Sequence, residues 1–155
     1  MSAPNDRLEL FVALSAALTG VKAFRLRGTG QAEAYLAAVE AIVPWPIIDD
    51  LFSQFAALPA GDALEPALES GILADPRLGA VARNLILLWY RGAWSQLPPA
   101  WRASFGSSAG DTNHVISSAA YQAGLQWEIA GAHPVGARQQ GYGSWALLPA
   151  GEDTP

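Results

Sequence analysis

The stretch Leu85 to Trp94, reading Leu-Ile-Leu-Leu-Trp-Tyr-Arg-Gly-Ala-Trp, is the most apolar run in the sequence and the strongest constraint on its fold. Leu78, Val81, Ala82, Leu85, Ile86 and Trp89 recur at three- and four-residue spacing, the repeat of a helix with one wide inward stripe. Leu87 and Leu88 carry apolar surface further round the cylinder, and a helix apolar on most sides is buried on most sides. Asp75 can cap such a helix, and Pro76 suits its first turn, where no backbone donor is needed. Gly92 stands where a left-handed residue ends a helix, with Arg91 beside the negative terminus. The pattern predicts a central apolar helix starting at Asp75-Pro76, with the other elements packed round it.

The rest of the chain supplies partners for that helix. Residues 1–5 read as a loose leader, after which Asp6 caps a helix over Arg7–Leu18 that Thr19-Gly20 stops. Lys22, Arg25 and Arg27 form a short basic connector ending in Gly28-Thr29-Gly30. With no strand before these glycines and no Gly-Lys-Ser/Thr after them, they make a turn and not a phosphate loop. A second helix runs from Gln31 to Val43, burying Tyr35, Leu36, Val39 and Ile42, until Pro44-Trp45-Pro46 breaks it. Pro46 opens a third, with Ile47, Ile48, Leu51, Phe52, Phe55 and Leu58 inward, and Leu64–Ser70 is a short fourth.

After Trp94 the texture changes. Pro98, Pro99, Gly106, Gly110 and several serines allow at most a helical turn around Ala100–Ser104, and loops this long are usually functional or bound to something. A last helix spans Ser117–Ala130, weakened by Gly124. From Gly131 the chain reads as an extended tail to residue 155, with Pro149–Pro155 disordered. Nothing alternates at period two, so essentially no sheet is expected. The expected fold is all-α: a single domain over 1–155, a small irregular bundle with a long loop-rich C-terminal half.

Composition narrows the function. Only 15% of residues are charged, against about 25% in an average soluble domain. With 51% apolar residues and six tryptophans, either a partner covers some apolar surface or the chain is an alanine-rich helical protein with an ordinary core. Net charge is −5 with no basic cluster, which argues against nucleic acid as a partner. No cysteine is present, so no thiolate chemistry or Cys-based metal site is possible. No apolar run is long enough to span a membrane, and Phe11–Leu18 lacks the flanks of a signal peptide, so the sequence taken literally starts in the cytoplasm.

The candidates for chemistry are sparse. His114 and His133 lie in or beside loops, and two histidines without further ligands make a poor metal site. Asp111-Thr112-Asn113-His114 could hold a general base, and the same string is good turn chemistry. Ser117-Ser118 reads as a helix cap, and Asp49-Asp50 diverge by about 100° on their helix and so form a solvated edge. Trp89, Tyr90 and Trp94 sit on the central helix and its exit, Trp101, Trp127 and Trp145 lie in or near the loop-rich half with Tyr142 in the tail, and aromatics are enriched in cores and interfaces alike.

Several strings, taken together, resemble a known family. Phe11 to Gly20 resembles the F-x-x-L-S-x-x-L-T-G opening of the small subunit of membrane-bound FAD-dependent sugar and polyol dehydrogenases. Leu88-Trp89-Tyr90-Arg91-Gly92 looks like that family's L-W-Y-x-G. Tyr121-Gln122, Leu125, Trp127, His133-Pro134 and Gly141 to Ala146 are similar to the closing segment of its sorbitol dehydrogenase branch. The resemblance implies a non-catalytic, chaperone-like helical subunit that binds a large flavoprotein, supports its folding and accompanies it to the periplasm. FAD and haem would then reside in other chains, the haem in a multihaem cytochrome c, with no cofactor and no membrane insertion here. The family commonly carries a twin-arginine leader, which this sequence lacks. On this reading Trp94, Trp101, Tyr142 and Trp145 are the expected partner-binding residues. The alternatives are a small enzyme using His114 or His133 with Asp111, and a homo-oligomeric helical interaction protein.

Overall fold

Apolar spacing at the helical repeat recurs along this chain, and the computed structural model, which describes residues 4–134, is accordingly all-α. Its helices are α1 (Pro4–Thr19), α2 (Ala23–Gly28), α3 (Ala32–Ile42), α4 (Trp45–Ala56), α5 (Leu64–Leu68), α6 (Leu78–Arg91), α7 (Pro99–Phe105), α8 (Ser118–Ala123) and α9 (Leu125–Ile129). A π-helical turn, Glu69–Leu73, follows α5. Two short strands, β1 (Ala93–Trp94) and β2 (His114–Val115), pair antiparallel, with Ala93 opposite Val115 and Trp94 opposite His114.

The stripes of four helices meet in one aromatic cluster. Phe11 of α1 stacks on Trp89 of α6 at 6.2 Å between ring centroids, and Tyr35 of α3 meets Trp89 edge-on at 4.8 Å. Phe52 of α4 lies 6.5 Å from Phe11. All four side chains are buried, and such pairs contribute about 0.5–1.5 kcal/mol each beyond their burial. Burial raises the Tyr35 phenol to a pKa of about 12. Its hydroxyl donates across 3.5 Å to the Ala120 carbonyl, joining α3 to α8.

Two backbone approaches fix the ends of α6. At its start Asp75 Oδ1 accepts from the Arg77 and Leu78 amides at 2.8 and 2.7 Å, so the helix begins at Leu78, just beyond its cap. A Cβ on Gly79 would lie 2.4 Å from the Leu73 carbonyl oxygen. At the other end Gly92 is left-handed (φ 65°, ψ 20°), and its Cβ would lie 2.2 Å from the Ala120 carbonyl. The Ile116 amide donates to Gly92 O at 3.0 Å, which seats the segment after β2 on this end of α6.

Some elements differ from the sequence expectation. The expected leader over residues 1–5 is helical from Pro4, because proline is pre-set for a first turn and Asp6 lies in that turn near the positive helix end. The basic connector forms α2, anchored by one buried side chain, Leu26. The expected helix over Ser117–Ala130 is two helices. Gly124 adopts φ −54° and ψ 129°, and its Cα packs where a Cβ would meet Tyr90 O at 2.8 Å. Of the expected tail, residues 131–134 are non-helical. The rest, with the disorder expected over 149–155, lies outside the described residues.

Candidate functional site

The segment between α6 and α8 is organised by one carboxylate. Asp111 is 1% exposed, and its Oδ1 accepts from the Trp94 indole Nε1 at 2.9 Å and from the Leu97 amide at 3.0 Å. Arg102 Nε, on α7, lies 3.0 Å from Asp111 Oδ2 as an ion pair whose angles fall outside hydrogen-bond geometry. A buried carboxylate needs such partners, since burying an unpaired charge is costly. Neighbouring polar groups continue the pattern. Asn84 of α6 donates to Ser95 O and accepts from Ser95 N, while Gln96 N donates to Asn113 Oδ1 at 2.7 Å. The segment is thus pinned from both sides by side chains that stand in for strand neighbours.

This arrangement gives the sequence candidates different positions from those expected. Trp94 and Trp101, expected as partner-binding residues, are 1% and 5% exposed. The Trp94 indole is bound to Asp111. The Trp101 indole donates to Arg77 O at 2.8 Å and packs on Phe105 at 5.4 Å. Both rings are interior because each indole N–H finds an acceptor inside the fold, so neither presents a surface for a partner. Tyr142 and Trp145 lie outside the described residues.

His114 is exposed, and its Nδ1 is 2.7 Å from the Thr112 carbonyl. A carbonyl only accepts, so Nδ1 carries the proton in the neutral ring. The structure does not join His114 to Asp111, whose carboxylate is directed at Trp94, Leu97 and Arg102. His133 is exposed beyond α9. Among the described residues no three His, Asp or Glu side chains gather as a metal site, and no helix is long and apolar enough to cross a membrane. Ser117 caps α8 as expected, its Oγ accepting from Ala120 N at 3.0 Å. Asp49 and Asp50 do diverge: Asp49 pairs with Arg7 at 3.1 Å, and Asp50 with Arg77.

Surface features cluster at the other side of the α6 terminus. A groove of about 260 Å³ runs between α2 and the α8–α9 pair, lined by Arg25, Gly28, Thr29, Gln122, Trp127 and Glu128 among others. Arg25 pairs with Glu128 at 2.5 Å across it, and Arg27 pairs with Glu9 of α1. Phe24 and Ile129, each next in sequence to a member of the first pair, are 68% and 70% exposed. Sequence reading missed this pair, although a phenylalanine flanked by Lys22, Arg25 and Arg27 is an unusual string in an acidic chain.

Comparisons with protein-family models, with curated proteins and with solved structures found no match for this chain.

Proposed function

We propose that this chain is a non-catalytic small subunit of an FAD-dependent sugar or polyol dehydrogenase, one that binds and stabilises the large flavoprotein. The observation that carries the reading is that the described parts of its resembling strings, far apart in sequence, pack against one another round the end of α6. Phe11 of the first string stacks on Trp89 of the second, and the Tyr90 hydroxyl donates to Thr19 O at 3.4 Å. Gly92, closing the second string, takes the backbone of Ala120 and Tyr121, where the third begins. In this reading α6 is the central helix round which the small subunit is built. Its role is assembly, stabilising the folded partner by mass action. Flavin and haem belong to the partner chains, and the periplasm is the compartment in which the complex works.

Co-expression with the FAD-dependent large subunit of the same genome tests the reading. The expected result is more soluble, FAD-loaded enzyme and co-purification of the two chains. Failure to co-purify at micromolar concentrations of both would overturn it.

A further inference from the structure

We propose that the α2–α9 end of the molecule is the surface that grips the large subunit, and that the partner meets it with an acidic segment carrying an apolar side chain. The inference rests on the small-subunit reading and adds the place and chemistry of the contact.

Single exposed apolar residues are ordinary. Here the two most exposed large ones among the described residues, Phe24 (68%) and Ile129 (70%), belong to helices tied together by the Arg25–Glu128 pair, beside a groove of about 260 Å³. The other exposed aromatic among the described residues, Trp45, is already engaged: the Arg7 guanidinium lies 3.9 Å over its ring, and Glu40 holds Arg7 at 2.5 Å. Phe24 has no such cover among the described residues.

Charge selects the occupant. The chain has nine Lys and Arg against fourteen Asp and Glu, yet Lys22, Arg25 and Arg27 fall within six consecutive residues around Phe24. Acidic residues gather at the far end of α6 instead, where Asp62, Glu65 and Glu69 lie exposed on the segment leading to Leu73, the residue against Gly79. With Glu9 and Glu128 counted, Lys22, Arg25 and Arg27 still leave a small positive excess at the α2 end, while carboxylates outnumber Arg77 and Arg83 at the start of α6, so a complementary surface for the first end is acidic. The carboxylates now facing Arg25 and Arg27, Glu128 and Glu9, are 70% and 64% exposed. Exposed pairs contribute little, so the guanidiniums can take carboxylates of a partner at small cost. Exposed Phe and Arg on one short helix are also the residue types enriched at the centres of protein interfaces.

The test co-expresses the large flavoprotein with the full-length chain as wild type, Phe24→Asp, Ile129→Asp and Arg25→Glu/Arg27→Glu. Val115→Asp, at another exposed site, is the control. Circular dichroism melting checks that each variant is folded, and the charge-reversed double variant, which alters only exposed side chains, serves if the aspartates disturb the helices. The expected outcome is wild-type binding that weakens with salt, a Kd raised about tenfold or more in the three α2–α9 variants, and an unchanged Val115→Asp complex. Capture by wild type that persists in all three variants overturns the assigned surface and leaves the small-subunit reading standing. No capture by wild type overturns both. A wild-type dimer lost in Phe24→Asp would assign the surface to a second copy. A melting temperature lowered equally by Phe24→Asp and by deletion of residues 135–155 would assign it to the chain's own C-terminal residues. Either result overturns the proposal.

Discussion

The two sides of Gly92 are held together by different physics. Before it, α6 is fastened by apolar contact, with Trp89 enclosed by Phe11 and Tyr35 and with few polar groups in the interior. After it, the segment from β1 to β2 sends Trp94, Leu97 and Trp101 into the same core, and its course is set in addition by one buried carboxylate and by the amides of Asn84 and Asn113. Apolar packing is non-directional and spread over many contacts, so it tolerates modest change at any one of them. A carboxylate hub is directional and concentrated, so one substitution disconnects several strands of the network at once. The first side should soften gradually under mutation, and the second should fail at a point.

The largest effect belongs to the boundary itself. Gly92→Ala places a Cβ in a left-handed residue and 2.2 Å from the Ala120 backbone oxygen, where no flexible side chain can yield. Strain and overpacking together predict a loss of about 3–4 kcal/mol, read by urea denaturation. A loss under 1 kcal/mol would show that α8 is free to move off α6.

Asp111→Ala is next, at about 3 kcal/mol, because it strands the Trp94 indole, the Leu97 amide and the Arg102 guanidinium together. Asp111→Asn keeps an acceptor and should cost less. Equal losses in the two variants would mean that the charge, and not the hydrogen bonds, organises the segment.

Tyr35 sharpens the comparison on the apolar side. Its folded pKa of about 12 exceeds the unfolded 10.0. Between those values the unfolded state holds fewer protons, so stability falls as pH rises from 10 toward 12 and is unaffected below 10. Tyr35→Phe should remove part of that alkaline loss while costing about 1 kcal/mol or less at neutral pH. An unchanged alkaline slope would place the titration elsewhere. The smallest effect is Ser15→Ala. The Ser15 hydroxyl is buried and has no hydrogen-bond partner among the described residues. Its removal should change stability by no more than about 0.5 kcal/mol or raise it slightly, as a thermal melt would register.

The same contrast explains what could be read from the sequence. The helices α1, α3, α4 and α6 were legible because their buried residues recur at the helical repeat, and the stop at Gly92 because glycine alone suits that conformation. The α2 helix was hidden by its charges, since only Leu26 is buried in it. The Asp111 hub left no local trace: its acceptor contacts reach 14 and 17 residues back along the chain, and Asp111-Thr112-Asn113 is equally sound as a plain turn. That also turned Trp94 and Trp101 from expected surface anchors into interior residues. Composition counts indoles, and only the fold supplies the acceptors, Asp111 and the Arg77 carbonyl, that these two find inside it. Phe24 and Ile129 were overlooked for the opposite reason, because an exposed apolar side chain looks like a core residue until its neighbours are known.

Gly79 and Gly92 together have a consequence for how this chain can vary. Each lets a carbonyl from a different segment touch the α6 backbone, one at either end. Helical geometry turns each added residue by about 100°. A single insertion or deletion between the two glycines would swing one of them away from its neighbour and drive a side chain into the gap. The helix therefore acts as a ruler with both marks engraved: letters within it can change, but its length cannot.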